Sequence, residues 1–115
     1  MNDDRQIGGY LRPDERAEFD RYIAQFKLRK GAVATLLIVR ELRCSRLPRL
    51  QELYSAPEGT GRKRITATPT DTSLKKEFER HAGLFGIEPD PAAGIVFRAE
   101  LHEKWLERAL TMESG

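Results

Sequence analysis

The chain has 115 residues and a mass of 13.1 kDa, with 39% hydrophobic and 33% charged residues. That suits one compact domain, or two very small ones sharing a core, and excludes a multi-domain enzyme or any catalytic fold needing about 200 residues or more. Lys and Arg number 20 against 18 Asp and Glu, for a formal charge of +2 and a pI near 8.8, which permits a polyanion partner without demanding one. Cys44 is the single cysteine, so no internal disulfide can form and a reducing cytoplasm is the expected location. The first residues are acidic and lack an apolar stretch, so no signal peptide is expected. The longest apolar run, Ala32 to Val39 with Thr35 inside it, is too short to span a bilayer.

In chain order, Gln6 to Leu11 alternates as a short strand. Pro13, Asp14 and Glu15 then suit the first turn of a helix and the positive end of its dipole. That helix, Glu15 to Gln25, places Phe19, Tyr22, Ile23 and Phe26 on one face. Residues 27–31 break it, and a more apolar helix runs from about Gly31 to Cys44. Residues 45–62 read as a linker: Pro48 stops the helix, Arg49 to Tyr54 has room for one or two helical turns, and Ala56 to Gly61 is flexible in composition. A second strand, Arg64 to Thr68, precedes a turn with cap-forming side chains. A helix from about Ser73 to Phe85 carries Leu74, Phe78, Ala82 and Phe85, and Asp90-Pro91 opens a last helix running to about Leu110.

Sliding the chain by 59 residues superposes Glu18 on Glu77, Phe19 on Phe78, Arg21 on Arg80, Phe26 on Phe85, Glu41 on Glu100 and Leu42 on Leu101 without a gap from residue 16 to 42. The strands need an offset of 58, which brings Ile7 onto Ile65. This is the pattern of an internal duplication. One copy alone leaves its strand unpaired and buries too little apolar surface to fold. Two copies solve both problems if the strands pair antiparallel, with Ile7 and Ile65 side by side, and the helices pack beneath.

Strand, helix, break, helix in about 40 residues resembles the ribbon-helix-helix family of DNA-binding proteins, of the Arc, MetJ and CopG types. The resembling segments are Arg5 to Arg43 and Lys63 to about Leu106, and two copies in one polypeptide are similar to the TraY-type and VirC-type tandem forms of plasmid and T-DNA transfer. The resemblance implies a mostly α fold with a short antiparallel two-stranded ribbon, in which units 1–44 and 63–110 form an intramolecular pseudo-dimer around one core. It also implies double-stranded DNA as partner, read by the ribbon in the major groove, with a relaxase or other DNA-processing protein as a further partner. A transcriptional regulator and a relaxosome-type accessory protein are the two roles it offers. The chain would act as a monomeric pseudo-dimer able to associate further on DNA, without membrane, metal or cofactor.

Alternation then selects the DNA-facing residues. Ile7, Gly9, Leu11, Ile65, Ala67 and Pro69 point inward, leaving Gln6, Gly8 and Tyr10 on one strand and Arg64, Thr66 and Thr68 on the other. Arg64 matches guanine O6/N7, Gln6 matches adenine N6/N7, and the threonines suit either base edges or a thymine methyl. Arg29 and Lys30 are the candidate phosphate contacts, at the start of the second helix, and Arg5 and Lys63 are further candidate DNA-binding residues. Glu88 and Asp90 put negative charge at the corresponding start in the second copy, which weakens that clamp and favours a protein-interaction module on the same scaffold as the alternative.

Phe19, Phe26, Phe78 and Phe85 read as core. Arg40, Arg43, Arg46 and Arg49 read as a solvated face, and Trp105 as a packing residue or dimer contact. His81, His102 and Cys44 lack metal-ligand spacing. No phosphate loop, nucleophile elbow or paired-carboxylate motif is visible, and an enzyme is not expected.

Overall fold

The computed structural model describes residues 6–56, 61–69 and 72–113, with side chains described as far as residue 110. The elements are β1 (Ile7–Leu11), α1 (Pro13–Ala24), α2 (Lys30–Cys44), α3 (Leu47–Leu53), β2 (Lys63–Ala67), α4 (Ser73–Leu84), α5 (Pro89–Glu103) and α6 (Trp105–Glu113). The chain is therefore mostly helical with one short two-stranded antiparallel sheet, as the pattern predicts. Among the described residues no helix is long and apolar enough to cross a membrane.

Three boundaries differ from expectation. Pro89, not Pro91, opens α5, with Glu88 rather than Asp90 in the extended cap position. The segment 45–62 is not linker throughout, because α3 buries Leu47 and Leu50 and packs on α5. The long last helix is broken at Lys104, which adopts a left-handed conformation (φ 50°, ψ 47°) and separates α5 from α6. No glycine or proline marks that break. A local side-chain bond marks it instead: the Glu100 carboxylate accepts the Leu106 backbone N–H at 2.8 Å, six residues on, and so fixes the start of a new helix.

The same event occurs in the first half. Ser45 is left-handed (φ 50°, ψ 49°), and the buried Glu41 accepts the Leu47 N–H at 2.7 Å. Glu41 and Glu100 each also reach across to the other half. His81 Nε2 on α4 donates to Glu41 at 2.8 Å, and the Tyr22 hydroxyl on α1 donates to Glu100 at 2.6 Å. Tyr22 and His81 are themselves one repeat apart (81 − 22 = 59), and each packs edge-on against the phenylalanine four residues later, Phe26 or Phe85. The repeat thus extends from sequence identities to equivalent buried hydrogen bonds.

The sheet shows the same relation. The pairs are Ile7 with Ala67, Gly8 with Thr66, Gly9 with Ile65, Tyr10 with Arg64 and Leu11 with Lys63. Ile7 and Ile65 share a ladder and a face but sit diagonally, not directly opposite each other, which corrects the simplest expectation. An offset of 58 maps the Ile7–Ala67 pair onto Gly9–Ile65, so the ladder is symmetric about Gly8 and Thr66. Beneath it, β1 packs on α5 and β2 on α2. Phe19, Phe78 and Phe97 are fully buried, whereas Phe26 and Phe85 are partly buried at the core margin.

The two glycines of β1 have different reasons. A Cβ on Gly9 would lie 2.7–2.8 Å from the Gly94 nitrogen, the Ala93 carbonyl carbon and the Phe97 ring. Backbone rests on backbone there, and nothing can yield cheaply. A Cβ on Gly8 would meet the guanidinium of Arg64, the mobile end of an exposed side chain.

Gly9→Ala should therefore lower stability by about 1–3 kcal/mol through overpacking, while Gly8→Ala should stay within about 0.5 kcal/mol. Urea unfolding of the two variants checks this, and equal losses would refute the close-approach account. Burial pushes the Glu100 carboxyl above its ordinary 4.5, against the opposing hydrogen bonds from Tyr22 and Leu106. The folded chain then holds more protons than the unfolded one above pH 4.5, and this group's contribution to stability falls as pH rises. Glu103, held below its usual value by Arg46, contributes stability that is lost on acidification below 4.5. Glu100→Gln keeps an acceptor for Tyr22 and Leu106. It should flatten the decline of stability above pH 4.5 and leave the acid limb below it intact, as read from urea midpoints on both sides of that pH.

Candidate nucleic-acid interface

The outer face of the ribbon is built from the positions that alternation assigns away from the core. Tyr10 faces Arg64 and Gly8 faces Thr66, while Gln6 and Thr68 extend the two strands past Ile7 and Ala67. Arg64 and Thr68 are exposed, and Gln6, Tyr10 and Thr66 are half-buried. Gly8 is buried, unlike its neighbours on this face, because the Arg64 side chain folds across it. The guanidinium of Arg62 lies 5.1 Å from the centre of the Tyr10 ring and adds a cation beside the ribbon. Arg62 carries no signal in the strand alternation, since it precedes β2, and sequence reasoning missed it.

The ribbon is anchored at both ends of β2. Arg16 on α1 donates to the Arg64 carbonyl at 2.8 Å. The Thr68 N–H donates to the hydroxyl of Thr35 on α2 at 3.0 Å, and that hydroxyl donates in turn to the Gly31 carbonyl at 2.8 Å. These bonds set the strand against the start of α2 and bring Arg29, Gly31, Thr66 and Thr68 around one groove. On the opposite side, Gln6, Gly8, Arg64, Lys75, Glu79 and Asp90 line a crevice beside the start of α5.

The basic candidates divide. Arg29 is exposed at the extended position before α2. Lys30 is engaged within the chain, its Nζ 3.0 Å from Asp20. Burial works to raise the Asp20 carboxyl, but hydrogen bonds from Lys30 and Arg16 win and hold it below its usual range. Lys63 pairs with Leu11 and shares the parity of Ile65, so it sits at the strand end on the side opposite Arg64. Arg5 lies outside the described residues. At the start of α5, Glu88 and Asp90 are exposed and acidic.

The basic run of the linker region is not a single face. Arg40 sits over the Trp105 ring at 4.5 Å, and Arg46 grips Glu103 through two hydrogen bonds of 2.6 and 2.9 Å. Arg43 and Arg49 are exposed. Among the described residues no group of three or more His, Cys, Asp or Glu side chains is gathered to hold a metal ion. His81 serves the buried Glu41, and His102 stacks on Tyr54 at 5.1 Å.

No family model, curated protein or solved structure matches the chain.

Proposed function

We propose that this chain is a sequence-specific double-stranded DNA-binding protein, built as an intramolecular pseudo-dimer of two ribbon-helix-helix units and reading the major groove with its β-ribbon. The observation that carries the reading is the ladder itself. It is two strands wide, symmetric about Gly8 and Thr66, and presents Gln6, Tyr10, Arg64, Thr66 and Thr68 on the face turned from the core. The equivalent bonds Tyr22–Glu100 and His81–Glu41 support the pseudo-dimer. A two-stranded ribbon has the width of the major groove, and its side chains offer the donors and acceptors that distinguish base pairs there.

In this reading Arg64 pairs with a guanine, Gln6 with an adenine, and the threonines complete the recognition. Each good bidentate pair supplies about 1–3 kcal/mol of discrimination. Arg29 and the free N–H groups at the start of α2 take one flanking phosphate. The acidic start of α5 makes the second clamp weak, so binding is lopsided about the ribbon. The process served is control of transcription or the assembly of a relaxosome-type complex with a relaxase on transferred DNA. A cytoplasmic location fits either.

The exposed Glu88 and Asp90 favour one second reading, a protein-interaction module on the same scaffold. Selection from random duplex DNA separates the two. The DNA reading expects an enriched site, with Arg64→Ala and Gln6→Ala each relaxing preference at particular base pairs. It also expects log K to fall linearly with log salt, in proportion to the phosphates contacted. Failure to enrich any site, together with a flat salt response, would overturn the DNA reading and favour the module instead.

A further inference from the structure

The outer face of the ribbon is symmetric in its backbone but not in its side chains. Under the strand offset of 58, Gln6 corresponds to Arg64, Tyr10 to Thr68, and Gly8 to Thr66 at the centre of the ladder. Thr66 brings a branched side chain to that centre, and Gly8 brings none.

The Arg64 side chain takes the space this leaves. Its backbone stands opposite Tyr10, yet its guanidinium lies two residues along the facing strand, over Gly8. A Cβ added to Gly8 would stand 2.5 Å from Nη2 and 2.7 Å from Cζ, and would collide with Nε as well. Tyr10 does not contest the place, because its ring lies beside Arg62. Among the described residues the guanidinium forms no ion pair or hydrogen bond, although Glu79 and Asp90 line the crevice beside it. Packing over the glycine is the contact that holds it, and its five donors remain uncommitted. An arginine side chain carries about 2 kcal/mol of rotamer entropy, and one already laid across the ribbon loses less of it on meeting a base. The corresponding diagonal, from Gln6 to Thr66, is not open in the same way, since Thr66 has a Cβ and a methyl of its own.

We propose that Gly8 is a specificity-determining residue that acts through Arg64: its missing side chain seats the guanidinium at the centre of the ribbon, and the DNA target carries there a single guanine with no counterpart in its other half. This rests on the DNA reading and refines it. Gln6, the equivalent of Arg64, is shorter and has no guanidinium, so it cannot bring a second fork to the same place. Gly8 is thus a positioning residue, and its role differs from that of a glycine that merely lets DNA come close to the strand. Because the neighbour it accommodates is the far end of an exposed side chain, filling the space costs the fold little and misplaces the reader.

The experiment is selection from random duplex DNA with the parent chain, then competition titration of the enriched duplex and its single-base variants with the parent, Gly8→Ala, Arg64→Ala and the double variant. The parent should enrich a site with one guanine at its centre and no symmetry mate for it. Gly8→Ala should lower the preference for that guanine by about tenfold or more, the share of a good bidentate pair. Its urea midpoint should stay close to the parent's, and the slope of log K against log salt, which counts phosphates, should not change. In the Arg64→Ala background, Gly8→Ala should cost nothing further, as expected of two residues acting as one. A uniform loss of affinity across all sequences, undiminished in the Arg64→Ala background, would overturn the proposal and make Gly8 a point of close approach for DNA. An enriched palindrome, or an unchanged preference in Gly8→Ala, would also overturn it and leave the DNA reading standing. A parent that enriches no site and shows a flat salt response removes the DNA reading and this inference together.

Discussion

A carboxylate shut away from water must find donors, because an unsatisfied buried charge costs far more than a buried apolar group of the same size. Glu41 and Glu100 meet that requirement twice over. Each takes a backbone N–H from the first turn of the helix that follows it, and each takes a side-chain donor from the opposite half, His81 or Tyr22. The first bond decides where the chain turns after α2 and α5. The second ties α1 to α5 and α4 to α2. Turn and tie share one carboxylate, so the path of the backbone and the pairing of the halves are not separate problems in this molecule. The ribbon above inherits its register from the helices so placed.

Much of this could be read from the residues. Phe19 and Phe78 at helical spacing, and the alternation of Ile65 and Ala67, located the core and the strands, because apolar periodicity follows directly from which face is buried. The offset of 58 read from Ile7 and Ile65 is the one that relates the two strands of the ladder, whose centre falls at Gly8 and Thr66. Glu41 and Glu100 stood out only as an identity at the repeat distance. Glutamate is rarely buried, and no local pattern says that its donors come from some 40 or 78 residues away. The break at Lys104 was hidden because its signal is a carboxylate accepting a backbone N–H six residues on, and not a glycine or proline. Gly8 and Gly9 looked alike as weak points of a strand. The helix beneath one and the guanidinium above the other separate them, and neither neighbour is near in sequence.

On the pseudo-dimer reading proposed above, duplication also frees a chain from symmetry. Two separate copies must present identical faces, whereas one chain can change either half alone. Here the start of α2 carries Arg29 and that of α5 carries Glu88 and Asp90. Lys30 is drawn to Asp20, and Arg98 on α5 holds Glu15 where the equivalent position of α2 carries Val39. The conserved geometry lies in the buried bonds, and the divergence lies on the surface. The surface can change in this arrangement without disturbing the bonds that hold the halves together.

The contact of Gly9 with the backbone of Gly94 has a bearing on how the chain is made. A ribosome delivers residues at roughly 5–20 per second, so the first strand emerges some 4–17 seconds before the helix it must lie against. Throughout that interval Ile7 and Leu11 lack the helix that shelters them. The partner of the strand's edge, β2, is synthesised sooner, and until then the shortness of that edge, five residues with two adjacent glycines, limits its power to recruit a neighbouring chain.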